Sequence, residues 1–270
     1  RENAARLLDQ YANQFAVYND DIEGTGAVTL AAILGALKIS GQKLTDQKFL
    51  CFGAGTSGMG IVRQVYEEML LQGLTPQEAQ DRFYLVDQQG LLFEDSDALT
   101  PQQNLFTRKR TEFADSHDLD TLEKVVKAIH PTILVGCSTV GGAFTESIVK
   151  EMAAHTERPI VFPLSNPTEL AEAKAADLIA WTEGRALVAT GTASQEVGYQ
   201  GVKYQIGQAN NSLVFPGMGL AVTACHAKCV SQGMLAAAAH ALADEVKVEN
   251  AGASVLPPGT HLQDFTVVLA

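Results

Sequence analysis

Five short apolar runs recur along the chain: KFLCF (48–52), FYLVD (83–87), PTILVG (131–136), PIVFPL (159–164) and ALVATG (186–191). Apolar residues do not alternate with polar ones inside these runs. That pattern predicts strands covered on both faces, as in a parallel sheet. Between the runs, apolar positions recur at helical spacing. Ile61, Val62, Val65, Met69 and Leu70 follow the first run, and LEKVVKAI (122–129), residues 145–154 and ELAEAKAADLI (169–179) separate the later ones. A further helix start lies in TPQE, with Thr75 as N-cap, Pro76 at the first helical position and Glu78 closing a capping box. Residues 94–120 are rich in charge and read as surface loop with short helix. Strand and helix alternate five times, which predicts an α/β fold. The expected architecture is a doubly wound, Rossmann-like parallel sheet of about five strands with right-handed crossovers.

The flanks follow a different pattern. AARLLDQYANQFAV (4–17) has helical spacing at Leu7, Leu8 and Tyr11 and reads as the end of something longer. AVTLAAILGALK (27–38) is apolar almost all round, so a buried helix is expected, ending at Ser40 and Gly41. Beyond residue 209 the alternation stops. Residues 217–245 are Ala-rich and predicted helical, and GASVLPP (252–258) reads as extended. The expected organisation is a helical end of an upstream domain at 1–22, a Rossmann-like domain at 23–209, and a helical segment at 210–270 that packs with the upstream domain. Helical appendages therefore stand at both ends of the sheet.

Composition narrows the function classes. The 270 residues are 46% hydrophobic and 19% charged, enough apolar content to fill a core. A net charge of −12 repels a phosphate backbone, so no nucleic-acid partner is expected. No membrane segment is expected either: no run of 18 apolar residues occurs, and RENAAR is no signal peptide. Cys51 and Cys137 lie in or beside apolar runs and read as free buried thiols of a reducing, cytoplasmic protein. Cys225, His226 and Cys229 lack a second ligand pair and are expected to pack in a helical core.

In a doubly wound sheet, ligands bind at the carboxyl ends of the strands. Five loops with small or polar residues fall there: GAGTSG (53–58), DQQG (87–90), CST (137–139), SNPT (165–168) and TGT (190–192). The first is a G-x-G-x-x-G between a strand and a helix. Gly53 allows the turn, Gly55 lets backbone approach a pyrophosphate, and Gly58 lets helix and strand pack closely. Ala54, Thr56 and Ser57 share the loop, whose helix N-terminus favours phosphate. Asp87 ends the second strand, where an acid can accept hydrogen bonds from both ribose hydroxyls. A 2′-phosphate would face its charge, and Gln88 and Gln89 supply no cation, so NAD is expected over NADP. Ser138 completes the expected cofactor contacts. The plainer alternative is a glycine turn in an α/β protein, with Asp87 capping a loop.

VYNDDIEGTG (17–26) places Asp20 beside Asp21. Taken alone, Asp21 reads as an N-cap with Glu23 in the first turn. Asn166, Asn210 and Asn211 could likewise be ordinary loop residues. Taken together, NDDIEGT (19–25), GAGTSG, DQQGL (87–91), GGAFTE (141–146), LSNPT (164–168) and GQANNSLVFPG (207–217) resemble, in order and over nearly the whole chain, the malic enzyme family. SGQKL (40–44), LLF (91–93) and VLPP (255–258) look most like the family's bacterial malolactic members. The resemblance implies that Asp21 is a ligand of Mn²⁺ or Mg²⁺ and that Asp20 is a neighbouring acid that influences the catalytic base. It implies that Asn166 and Asn210 or Asn211 bind the carboxylates of L-malate. It further implies hydride transfer from malate to NAD and loss of CO₂. In a malolactic enzyme the hydride returns to give L-lactate. In a malic enzyme pyruvate and NADH leave.

The family's Glu-Asp metal pair, Lys and Tyr find no matching motif here. The expectation is therefore a chain that binds NAD but is inactive alone, in a homo-oligomer, a dimer, with FPGMGL (215–220) a candidate for self-association. Two other readings remain open. One is a non-catalytic NAD-binding module. The other is a 2-hydroxy-acid dehydrogenase, which usually relies on a His positioned by an acid. None of His117, His130, His155, His226, His240 and His261 sits at a strand's carboxyl end, which counts against it.

Overall fold

The computed structural model of the chain describes residues 2–248, 250–259 and 262–269. Helix α1 (Glu2–Tyr11) is followed by a π-helical turn at Asp20–Gly24 that runs straight into α2 (Thr25–Ser40). Then come β1 (Phe49–Phe52), α3 (Thr56–Leu71), α4 (Pro76–Gln80), β2 (Phe83–Asp87) and the short β3 (Gly90–Leu91). The second half contains α5 (Pro101–Asn104), α6 (Leu122–Ile129), β4 (Ile133–Gly136), α7 (Glu146–His155), β5 (Ile160–Pro163), α8 (Ala175–Trp181) and β6 (Leu187–Thr190). A hairpin of β7 (Val197–Tyr199) and β8 (Val202–Tyr204) precedes β9 (Gly207–Gln208), α9 (Phe215–Ala224), α10 (Gln232–Asp244) and α11 (Leu262–Leu269).

The sheet has seven strands in the order β3-β2-β1-β4-β5-β6-β9. All five expected strands are present and parallel, with Phe49 opposite both Phe83 and Ile133. The additional strands are short edges: β3 is antiparallel to β2, and β9 is parallel to β6. Direction of winding reverses between β1 and β4. That is the switch point at which a doubly wound sheet opens a crevice.

Alternate strand residues feed two cores. Phe49, Cys51, Leu85 and Ile133 face α2, α3 and α10. Leu50, Val86, Leu134 and Val161 face the layer of α6, α7 and α8. The stretch 20–40 is long and apolar enough to cross a membrane, yet it is the core helix of this layer. Leu30 and Ile33 of α2 are fully buried, each stabilising the fold by about 1.5–3 kcal/mol. Helix α3 approaches α2 so closely that a Cβ at Gly26 would lie 2.9 Å from the Gly60 carbonyl.

Several local expectations are corrected. Residues 169–179 are not one helix. The carbonyls of Ala171 and Glu172 accept from Gly142 and Phe144 N–H, holding this stretch extended against the 142–144 loop until α8 begins. Residues 217–245 are likewise two helices. His226 adopts φ +51°, and Ser231 starts α10 by capping Met234 N–H. Cys225 is therefore exposed and Cys229 half-buried in a connecting loop, not packed in a helical core. Segment 94–120 is not all surface: Phe106 is buried 5.2 Å from the rings of Tyr66 and Phe83, and the Arg108 guanidinium lies over Tyr84. The Thr75–Glu78 capping box forms as expected. His261 lies outside the described residues.

Candidate functional site

The glycine loop crosses the switch point under tight steric control. Gly53 has φ +96°, and a Cβ there would come within 2.6 Å of Cys137 and Ser138 backbone. At Gly58 a Cβ would meet the Gly53 carbonyl at 2.2 Å, so α3 and β1 pack at a distance that only glycine permits. Gly55 is different, because nothing lies within 4 Å of the Cβ position. It is the extended N-cap of α3 and offers no side-chain cap. The first-turn N–H groups are left to an outside acceptor, which suits a pyrophosphate. Ala54 is buried, and its carbonyl accepts from Gln103 Nε2 at 2.8 Å, so α5 pins the loop. Asp87 ends β2 half-buried and accepts from Gln88 N–H at 2.9 Å, with the Gln88 side chain exposed.

A cleft of about 640 Å³ opens beside this loop at the carboxyl edge. It brings together Asp20, Asp21, Asn166, Asn210 and Asn211 with Thr56 and Ser57 of the glycine loop. Gly53, Ala54, Gly55, Gly58, Asp87, Gln88 and Ser138 are not among its lining residues. The turn carrying the aspartates is capped by neither of them. Asn19 Oδ1 accepts from Ile22 N–H at 3.1 Å, and Glu23 Oε2 accepts from Asn19 N–H at 2.9 Å. This reciprocal cap leaves Asp21 exposed and Asp20 half-buried. Asp20 Oδ1 accepts from the Tyr18 hydroxyl at 3.2 Å. A Cβ at Gly24 would collide with both groups, at 2.2 Å from Asp20 Oδ1 and 2.6 Å from the Tyr18 oxygen. Burial, and then the charge of Asp20, push the Tyr18 phenol far above its ordinary value. Burial likewise raises Glu23, opposed by the Asn19 N–H and by Arg63.

The three asparagines differ. Asn211 Nδ2 donates to the Asp20 carbonyl at 2.9 Å, and its Oδ1 accepts from Thr25 Oγ1 at 3.3 Å, so its amide ties the aspartate turn to the 207–213 segment. Asn210 uses Oδ1 to cap Ser212 N–H and is exposed. Asn166 is exposed before the cis Pro167. Two amides, Asn166 and Asn210, thus present themselves to a ligand, while Asn211 holds the frame.

Glu172 escaped the sequence reading, which placed it inside a helix. It is fully buried. Its Oε1 accepts from Ser138 N–H (2.9 Å), Ser138 Oγ (2.8 Å) and Ser165 Oγ (2.6 Å). Its Oε2 accepts from Ser165 N–H at 3.3 Å. One carboxylate therefore ties together the loops that leave β4 and β5, and Ser138 points into this hub. Nothing in the spacing of Ser138, Ser165 and Glu172 marks them as a unit, because they meet only through the sheet. Burial and the nearby Glu172 charge push the Cys137 thiol up to about 12.

The donor chemistry fits both expected groups. The uncapped α3 N-terminus and the Asp87 carboxylate suit a dinucleotide. Asp20 and Asp21 are the only carboxylates lining the cleft among the described residues. One or two carboxylates, completed by substrate oxygen and water, are a common shell for Mg²⁺.

Comparison with known proteins adds an independent line. The family model described as "Malic enzyme, NAD binding domain" matches residues 22–270. The chain is 58% identical over 270 residues to a malolactic enzyme of Lactiplantibacillus plantarum, covering 100% of this chain and 49% of that protein. A malolactic enzyme of Leuconostoc mesenteroides is 55% identical, with 100% of this chain and 50% of that protein covered. NAD-dependent malic enzyme 3 of Bacillus subtilis is 46% identical over 275 residues, with 100% and 48% covered. Among solved structures, Entamoeba histolytica malic enzyme shares the fold with a TM-score of 0.76 at 22% identity, covering 99% of this chain and 51% of that one. The chain spans about half the length of the curated relatives it matches.

Proposed function

The chain belongs to the malic enzyme NAD-binding domain family, and on that premise we propose that it is the cofactor-binding part of a malolactic enzyme. The reaction is decarboxylation of L-malate to L-lactate and CO₂ with NAD and Mn²⁺ or Mg²⁺. The observation that carries this reading is the juxtaposition in one cleft of two aspartates, two free amides and the start of α3. The choice of malolactic over malic enzyme rests on identities of 58% and 55% to relatives of the first name against 46% to one of the second.

In this reading the first-turn N–H groups of α3 hold the NAD pyrophosphate, and Asp87 accepts from the adenosine ribose hydroxyls. The nicotinamide, when bound, supplies the hydride acceptor. Asn166 and Asn210 donate amide N–H to the malate carboxylates and fix the substrate's orientation. Asp21, exposed on its turn, is the metal ligand, and Asp20 stands beside it, oriented by Tyr18. The metal, when bound, supplies Lewis-acid polarisation of the malate C2 oxygen. Asn211 and Glu172 touch neither ligand and hold the groups that do. Free Cys51 supports a cytoplasmic location, and exposed Phe215 and Leu220 on α9 support a homodimer.

The test gives L-malate, NAD and Mn²⁺ to the full-length protein containing this chain. Lactate without accumulating NADH is expected. NADH forming one-for-one with pyruvate would make it a malic enzyme, and NAD binding without turnover a non-catalytic module. The isolated chain is expected to bind NAD without turning malate over. Calorimetry on it that finds NADP bound more tightly than NAD would defeat the role given to Asp87.

A further inference from the structure

A second ligand cluster lies far from the cleft. Helix α6 ends at His130, whose φ of +48° turns the chain back and throws the imidazole onto α7. Glu151 and His155 stand one helical turn apart on α7 and face it. His130 precedes β4 and His155 precedes β5, so the group sits at the amino edge of the sheet, opposite the carboxyl edge that carries the cleft.

The three side chains converge on one point. Glu151 Oε1 lies 3.4 Å from His130 Nε2 and 3.2 Å from His155 Nε2. The two rings stack with centroids 3.6 Å apart. All three donor atoms fall within 4.8 Å of one another. Ligand atoms about 2.0–2.1 Å from a tetrahedral Zn²⁺ are separated by roughly 3.4 Å, close to both nitrogen–oxygen distances here. The two ring planes lie 25° apart in the stack, so binding one ion opens the rings away from each other. The side chains are 29–45% exposed, so solvent reaches the site and water can complete the shell.

Two imidazoles and one carboxylate offer three donor atoms, two of nitrogen and one of oxygen. Imidazole nitrogens suit zinc-class ions, whereas an all-oxygen set suits Mg²⁺ or Mn²⁺.

We propose that His130, Glu151 and His155 form a binding site for a zinc-class divalent cation that clips the end of α6 to α7. It is separate from the cleft, and its standing does not depend on the malolactic reading. The test titrates the intact chain, carrying Cys225→Ser and Cys229→Ser to remove the accessible thiols, with ZnCl₂. Long-range ¹H–¹⁵N spectra then report each histidine ring. The rings of His130 and His155 are expected to shift together and saturate at one equivalent, while those of His117 and His240 stay in place. At a hundredfold excess over Kd, Tm is expected to rise by about 5 °C. His130→Ala and His155→Ala should each weaken binding by roughly tenfold or more. Glu151→Gln, which keeps the shape, serves as the third variant if an alanine variant fails to fold. Zinc that leaves both rings unshifted, or that binds the variants within twofold of the parent, overturns the proposal.

Discussion

Replacing Glu172 by Gln keeps the side chain's shape and removes its charge. Three of the four bonds converge on Oε1 and one reaches Oε2. The amide will therefore set its oxygen where Oε1 was and point its NH₂ at Ser165 N–H, donor against donor. Each surviving bond loses its ionic component, worth about 1 kcal/mol, or roughly 3 kcal/mol over three. The mismatched Ser165 N–H adds about 1–3 kcal/mol. Against this, a buried charge disappears, returning a desolvation cost of several kcal/mol. The two sides nearly cancel, and the expected net loss is about 1–2 kcal/mol. Glu172→Leu also removes the charge but strands all four donors, so its expected loss is about 4 kcal/mol or more. The damage should reach the cofactor, because Gly53 packs directly on Cys137 and Ser138 backbone. Urea unfolding gives the stabilities and calorimetry gives NAD affinity, with about a tenfold loss expected for the Leu variant. A Leu variant within 1 kcal/mol of the parent, or as stable as the Gln variant, would refute the claim that this carboxylate organises the two loops.

Three further outcomes are expected. Gly58→Ala should lose about 2 kcal/mol or more in thermal unfolding, because its Cβ meets the Gly53 carbonyl. Gly55→Ala should fold normally but bind NAD more weakly in calorimetry, since its Cβ enters open space beside the α3 N-terminus. Iodoacetamide at pH 8.5 should label exposed Cys225 first, and half-buried Cys137 at the cleft much more slowly. With Cys137 pushed up to about 12, only about one thiol in three thousand is ionised at that pH. Hydrogen bonds from Thr75 hold Glu78 below the usual carboxylate range. Its contribution to stability is thus present above the ordinary glutamate value and lost as pH falls through the lowered one. Thr75→Ala should therefore cost more at pH 7 than at pH 2.5 in denaturant titrations.

How much of this was legible depended on the range of the interaction. The five buried strands announced themselves because each must be apolar on both faces, a constraint written into consecutive residues. The capping box at Thr75 and the roles of Gly53 and Gly58 were legible for the same reason, since both partners lie within a few positions. The edges β3 and β9 carry only two residues each and too little pattern to register. The helix expected over 169–179 failed through tertiary override: its apolar spacing is helical, but hydrogen bonds to the 142–144 loop hold the first half extended. Glu172 was hidden by the same segment. A glutamate inside an apparent amphipathic helix reads as solvated surface, and its four donors come from residues 7 and 34 positions away.

The paired aspartates show how a local and a functional reading can be reconciled. Capping a helix and holding a ligand compete for the same carboxylate oxygens, so one residue does one or the other. The chain gives the tasks to different positions, the cap falling one residue before the pair and two after it. Asn19 and Glu23 make the reciprocal cap, and the turn between them is a π-helical one, a residue wider than an α-turn. The wider turn leaves Asp20 and Asp21 at the cleft. Two adjacent carboxylates facing one cleft repel each other, and the Tyr18 hydroxyl on Asp20 offsets only part of that. A fold that spends three neighbouring side chains to free and orient a repelling pair, and ties the turn down with Asn211, leaves the pair's repulsion as a destabilising term in the unliganded chain. Asp20→Asn and Asp21→Asn should on this argument make the isolated chain more stable, not less.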